Sequence, residues 1–126
     1  MATPTTTVVV IAHGSRAAVA NDAHRQAVAS LDQRLAARVV PAFLELADPD
    51  IGAAIDAAVA GGSSDVVALP HFLYPGRHVA IDIPAIVEHA CRRHPAVSIR
   101  LLSPSGADPA LADLLARQID SATVGS

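Results

Sequence analysis

Cysteine, aromatic residues and long apolar runs are scarce in this chain, and each scarcity removes a class of protein. A single cysteine in 126 residues can build neither an internal disulfide nor a cysteine-based zinc cluster. Secreted disulfide scaffolds are thereby excluded, and a reducing cytoplasmic setting is expected. With two phenylalanines, one tyrosine and no tryptophan, any core has to be aliphatic. Lys and Arg never form a run and the formal net charge is −3, so there is no basic stripe for a nucleic-acid partner. The first six residues lack a basic leader segment, and the apolar stretch after them is far short of the ~18 residues that span a bilayer. A soluble, untargeted protein without a membrane partner is the expectation.

Aliphatic residues, by contrast, are abundant. Hydrophobic residues make up 52% of the chain and charged residues 17%, which excludes disorder as the main state and suits one domain with a closed core. Residues 7–120 are read as that domain, with 1–6 and 121–126 as flexible, small and polar termini. Four short aliphatic runs, Val8–Ala12, Arg38–Leu44, Asp65–Leu69 and Ser98–Leu102, read as strands, three of them buried on both faces.

Between and after them lie segments with apolar residues three or four apart: Ala20, Ala27, Leu31 and Leu35; Ile51, Ala54, Ile55, Ala58 and Val59; Ile86, Val87 and Ala90; Leu111, Leu114, Leu115 and Ile119. These predict four helices. Asp48-Pro49 and Asp108-Pro109 each place a capping carboxylate before a proline at a helix start, Asp82 and Pro84 form a looser version, and Gly61-Gly62 supplies a stop. The alternation β-α-β-α-β-α-β-α predicts a three-layer αβα domain of the α/β class around a four-stranded parallel sheet.

In such a sheet ligands bind beyond the carboxyl ends of the strands. Strand one ends in His13-Gly14-Ser15-Arg16, strand two in Glu45, and strand three runs into the segment Pro70 to His78, with His71 placed inside that strand. His13, Glu45 and His78 therefore converge on one edge with nitrogen and oxygen donors suited to a divalent first-row metal. Three ligands leave coordination positions open for reaction. Gly14 and Gly76 flank these turns and would admit a bulky ligand, and Arg16 and Arg77 occupy the rim. His24, His89 and His94 are read as solvated or packed side chains, and Cys91 as a small core residue.

These residues resemble a known family. Val10-Ile11-Ala12-His13-Gly14-Ser15-Arg16, the segment Ala42 to Pro49, and Leu73-Tyr74-Pro75-Gly76-Arg77-His78-Val79 through Asp82-Ile83-Pro84 are similar to the small class II chelatases of tetrapyrrole synthesis, the sirohydrochlorin chelatases. The resemblance implies insertion of Co²⁺ or Fe²⁺ into sirohydrochlorin on the route to cobalamin or siroheme, with Ni²⁺ a third candidate and no prosthetic group. It places the family's metal-binding histidines on His13 and His78 and its carboxylate on Glu45; Ser15, Arg16, Gly76 and Arg77, on the neighbouring turns and rim, are expected to bind the substrate. It also implies the short, single-domain form that works as a homodimer. Ala107-Asp108-Pro109 departs from the His-Pro that many relatives carry there.

The chemistry explains these residue types. Metallation strips water from an ion and removes two pyrrole N–H protons, tasks for imidazole and carboxylate. The eight carboxylates of sirohydrochlorin need local cations, which the arginines supply. Four strands at ~4.8 Å give an edge of about 15–20 Å, no wider than a tetrapyrrole, so a second copy is expected to complete the enclosure. Helix three and the segment Tyr74 to Ile83, including Val79 and Ile81, are the expected interface.

Two rivals remain. A phosphohistidine enzyme would place an arginine directly before the histidine, where Ala12 stands. A non-catalytic metal or tetrapyrrole carrier would use the same pocket.

Overall fold

The computed structural model describes residues 5–123, and the expected termini 1–4 and 124–126 lie outside them. Four strands, β1 (Thr6–Ala12), β2 (Arg38–Phe43), β3 (Asp65–Pro70) and β4 (Ser98–Leu101), alternate with four helices, α1 (Ala18–Arg34), α2 (Ile51–Ala60), α3 (Arg77–Arg93) and α4 (Ala110–Thr123). A short 3-10 turn, Ser105–Ala107, precedes α4. The sheet is fully parallel, in the order β2-β1-β3-β4. Residues 6 and 121–123, expected in loose termini, belong to β1 and α4.

Each strand sends alternate residues to opposite faces. Val9, Ile11, Val66 and Ala68 meet Ile51 and Ile55 of α2 and Val79, Ile83 and Val87 of α3. On the other face Val10 and Val39 meet Val28 of α1. The central strands β1 and β3 are buried on both faces, and the edge strand β2 also buries Val39 and Phe43 on the α1 side and Ala42 on the other, which makes the expected three; β4 keeps only exposed and half-buried positions.

Local chemistry corrects several boundaries. The carboxylate that caps α2 is Asp50, whose side chain accepts from Ala53 N at 2.7 Å, and not Asp48. Pro49 is held back in the loop because its carbonyl accepts from Phe43 N at 2.9 Å. The α2 stop is as expected: Gly62 N and Ser63 N bond back to the Val59 and Ala58 carbonyls, the paired bonds of a Schellman end. Asp108 does cap α4, accepting from Ala110 N at 2.8 Å.

The largest correction concerns α3, which starts at Arg77 and runs straight through Pro84. Burial of Val79, Ile83 and Val87, about 1.5–3 kcal/mol each, outweighs the roughly 3 kcal/mol that an interior proline costs. Val79 and Ile83 are thus core residues and are not available to an interface, whereas Tyr74 and Ile81 are exposed. Two predicted apolar stripes are also exposed. The buried face of α1 is Asn21, His24 and Val28, with Ala20, Ala27, Leu31 and Leu35 at the surface, and α4 has no buried residue among those described.

Candidate functional site

The parallel register brings the ends of β1 and β2 together, with Ala12 opposite Phe43, and the two chains stay joined for two residues more. Leu44 N donates to Ala12 O at 2.9 Å and Glu45 N to His13 O at 3.0 Å. This holds the His13 and Glu45 side chains on the same rim. His13 Nε2 donates to Glu45 Oε1 at 2.8 Å, and both side chains are about half exposed, at 50% and 56%. The pair is therefore fixed by backbone yet open to a ligand.

Gly14 makes this approach feasible. Its φ is +94°, and a Cβ placed there would lie 1.7 Å from the Glu45 carbonyl oxygen, so no other residue fits without parting the strands. Gly76 differs: it caps α3 with an ordinary φ of −71° and has open space where a Cβ would be. The close approach expected of both glycines belongs to Gly14 alone.

The turn after His13 is held from below by a residue that the sequence reading passed over. Asn21, buried on α1, accepts from Ser15 N at 2.9 Å and donates to Ser15 O at 2.7 Å, while Ser15 Oγ accepts from Ala17 N at 3.0 Å. Ser15 is thus committed to shaping the loop, and Arg16 beside it is exposed. Three positions on, the buried His24 donates from Nε2 to Val10 O at 2.9 Å and packs edge-on against Phe43. Burial holds its pKa below the ordinary histidine value, assisted by the nearby His71 and Arg25, although the hydrogen bond to Val10 opposes the shift. Polar residues at Asn21 and His24 that share a face with Val28 were the available signal.

Strand β3 ends at Pro70, so His71 lies just past it and is exposed. Its ring stacks near-parallel on His24 and its Nδ1 bonds Ser105 Oγ at 2.8 Å. Phe72 then meets the His13 ring edge-on at 6.4 Å. A small apolar cleft of about 140 Å³ adjoins this loop, lined by residues that include Phe72, Pro75, Ala80 and Pro104. A larger groove of about 400 Å³ runs along β2 beneath α2, where Arg38 is the one charged lining residue; it carries no acid–base pair.

His78 does not join His13 and Glu45. The early start of α3 puts it in the first helical turn, where Asp82, one turn on, accepts from His78 Nε2 at 2.7 Å. Its side chain is 85% exposed, and Arg77 next to it is exposed too. Among the described residues no three His, Cys, Asp or Glu side chains gather closely enough to hold a metal ion, so the expected three-ligand cluster is present as a pair plus one separate imidazole. His89 and His94, expected to be solvated or packed, belong to a surface network far along α3. Arg93 donates to His89 Nδ1, and Arg93 and His94 both bond Asp56 of α2. The hydrogen bonds from His94 and Arg93 hold the Asp56 carboxyl below its ordinary pKa. Cys91 is half-buried against the core and donates weakly to Ile99 O.

No helix among the described residues is long and apolar enough to cross a membrane. Comparison with known proteins gives a consistent picture. The chain is 32% identical over 109 residues to the chloroplastic sirohydrochlorin ferrochelatase of Arabidopsis thaliana, covering 86% of this chain and 48% of that one. It is 29% identical over 123 residues to the sirohydrochlorin cobaltochelatase of Methanosarcina barkeri, covering 91% and 95%. The crystal structure of a putative cobalamin biosynthesis CbiX protein from Marinobacter aquaeolei superimposes with a TM-score of 0.82 at 26% identity, over 96% of this chain and 99% of that one. The chain spans about half the length, or less, of several curated relatives that it matches. The sequence model of the CbiX family matches residues 7–122, and the protein belongs to that family.

Proposed function

We propose that the protein inserts Co²⁺ or Fe²⁺, as a substrate, into sirohydrochlorin, and that the His13–Glu45 pair at the carboxyl edge performs the chemistry. The observation that carries this reading is the 2.8 Å contact between a half-exposed imidazole and a half-exposed carboxylate held by adjacent strand ends. Sirohydrochlorin chelatase names among the relatives support the same reading.

The pair acts in two ways. Imidazole nitrogen and carboxylate oxygen are both ligands for a first-row divalent ion, and together they displace part of its water shell. As the ion enters the macrocycle, two pyrrole N–H protons leave; His13 and Glu45 accept them and pass them to water. His78 turns away from Asp82 to supply the third donor, a movement its exposure permits. Arg16 and Arg77 pair with substrate carboxylates, since a guanidinium repels the metal and binds carboxylate in a fork, and the Ser15 and Gly76 turns line the binding face. No prosthetic group takes part. The enzyme works in the cytoplasm as a homodimer, with a second copy completing the enclosure of a substrate as wide as the sheet edge.

An anaerobic metallation assay tests this reading. Purified protein at a few per cent of the sirohydrochlorin concentration should convert all of it, followed by absorbance with Co²⁺, Fe²⁺ and Ni²⁺ in turn. Conversion limited to one equivalent per site would instead identify a metal or tetrapyrrole carrier.

A further inference from the structure

His13 is held on two sides, by a carboxylate and by an aromatic ring. Pairing of β1 with β3 sets Ile11 opposite Pro70, and His71 N donates to Ile11 O at 2.8 Å, so the same register carried two residues on sets Phe72 opposite His13. On the other flank the bond from Glu45 N to His13 O keeps Glu45 beside it. The Phe72 and His13 rings meet at a centroid distance of 6.4 Å and an interplanar angle of 70°, the edge-to-face arrangement that ring quadrupoles favour.

The two contacts restrain different motions. The bond between His13 Nε2 and Glu45 Oε1 fixes the direction of one nitrogen but leaves the imidazole plane free to turn about that bond. A second ring set across it opposes the turning. His13 is half exposed, so core packing does not do this in place of Phe72.

Phe72 is itself clamped. Its N–H donates to Pro70 O at 3.2 Å and its carbonyl accepts from Gly106 N at 2.8 Å. On either side of it, His71 Nδ1 bonds Ser105 Oγ at 2.8 Å, and a Cβ on Gly106 would lie 1.9 Å from the Leu73 carbonyl oxygen. The 3-10 turn Ser105–Ala107 thus grips residues 71, 72 and 73 in succession. The Phe72 side chain is half-buried against the aliphatic core that α2 and α3 share. A ring fixed to both core and turn is a firm stop for an imidazole at the surface.

We propose that Phe72 is a positioning residue for metal insertion, held by the 3-10 turn and setting the plane of the His13 ring for the incoming ion. The proposal rests on the His13–Glu45 reading and deepens it. An imidazole nitrogen binds an ion along a lone pair lying in the ring plane, so a tilted ring loses affinity and rate although every donor is still present. Phe72 contributes no donor of its own.

Variants of the full chain test this, with circular-dichroism melts to show that each one folds. Phe72→Leu keeps apolar volume against the core and removes the aromatic edge; Phe72→Tyr keeps the ring. Two readouts are taken: kcat and KM for anaerobic metallation of sirohydrochlorin, and binding of Co²⁺ alone followed by visible absorbance. Phe72→Leu should lower kcat about 2- to 10-fold at unchanged KM for sirohydrochlorin and weaken Co²⁺ binding by a similar factor, the worth of one aromatic edge contact. Phe72→Tyr should recover both. In a His13→Ala background Phe72→Leu should change neither the residual rate nor the residual affinity, an outcome that a merely structural role does not give. Gly106→Ala, which acts through the clamp, should reproduce the loss and add little to Phe72→Leu in the double variant. Equal losses with and without the His13 imidazole, no loss in Phe72→Leu, or a raised KM at unchanged kcat would each overturn the positioning role. A wild type that binds Co²⁺ and never metallates sirohydrochlorin would overturn the chelatase reading instead, and the Co²⁺ affinities would decide the role of Phe72 by the same criteria. A wild type that does neither would overturn both.

Discussion

Replacing Gly14 by alanine isolates the contact on which the site geometry depends. The new Cβ would sit 1.7 Å from the Glu45 carbonyl oxygen and 2.8 Å from its carbon, both backbone atoms with no rotamer to escape into. The strands must part, and the bond from Glu45 N to His13 O is the first to be lost. A non-glycine residue at positive φ costs about 1–2 kcal/mol and overpacking about 1–3 kcal/mol, so a loss of roughly 2–5 kcal/mol is expected. For a domain of this size each kcal/mol lowers Tm by about 3–6 °C, giving a drop of about 6–30 °C in a circular-dichroism melt. Metallation should fall about 100-fold even where the protein stays folded, because displacement of catalytic groups by about an ångström has that effect. Gly76→Ala is the matched control, with open space and ordinary φ, and its stability should stay within about 0.5 kcal/mol. A G14A protein with wild-type Tm and wild-type metallation would refute the argument that this backbone approach builds the site.

Three further outcomes are expected. Asn21→Leu leaves both backbone groups of Ser15 without their partner, which should cost about 1–3 kcal/mol in urea denaturation; an unchanged midpoint would show that the turn holds itself. His24 has a folded pKa below its ordinary 6.5, so its contribution to stability is complete above about pH 6.5 and is lost as pH falls through the lower folded value. His24→Phe should flatten the stability profile below pH 6.5, and a variant with the wild-type profile would remove His24 as the cause. Arg77→Ala should weaken sirohydrochlorin binding and reduce its salt dependence, as loss of a guanidinium–carboxylate pair requires; an unchanged salt titration would exclude Arg77 from the binding face.

The sheet and the packing of α2 were legible because they rest on local composition. Aliphatic runs gave all four strands to within two residues, and the α2 stripe of Ile51, Ala54 and Ile55 is buried as its spacing predicts. Three features escaped for physical reasons. Pro84 looked like a helix start, but the stripe Val79, Ile83, Val87 and Ala90 only becomes visible when the proline is allowed inside the helix. The apolar spacings of α1 and α4 located the helices, yet Ala20, Ala27, Leu31, Leu114, Leu115 and Ile119 are exposed, since periodicity shows that a face is apolar and not what lies against it. At the site, His13 and Glu45 were foreseeable from their strand ends, because parallel register brings such ends together. The separation of His78 was not foreseeable, because it depends on where α3 begins and on Asp82 one turn along.

The central claim is that His13 and Glu45 act as one unit in metal insertion, and a double-mutant cycle in single-turnover metallation addresses it most directly. His13→Ala and Glu45→Gln should each reduce the rate at saturating sirohydrochlorin and metal by about 100-fold or more, the range of a positioned acid–base group. The double variant should lose little beyond the worse of the two, as groups in one functional contact do. Losses that multiply in the double variant would show two residues acting independently, and rates close to wild type in both single variants would place the chemistry elsewhere on the protein.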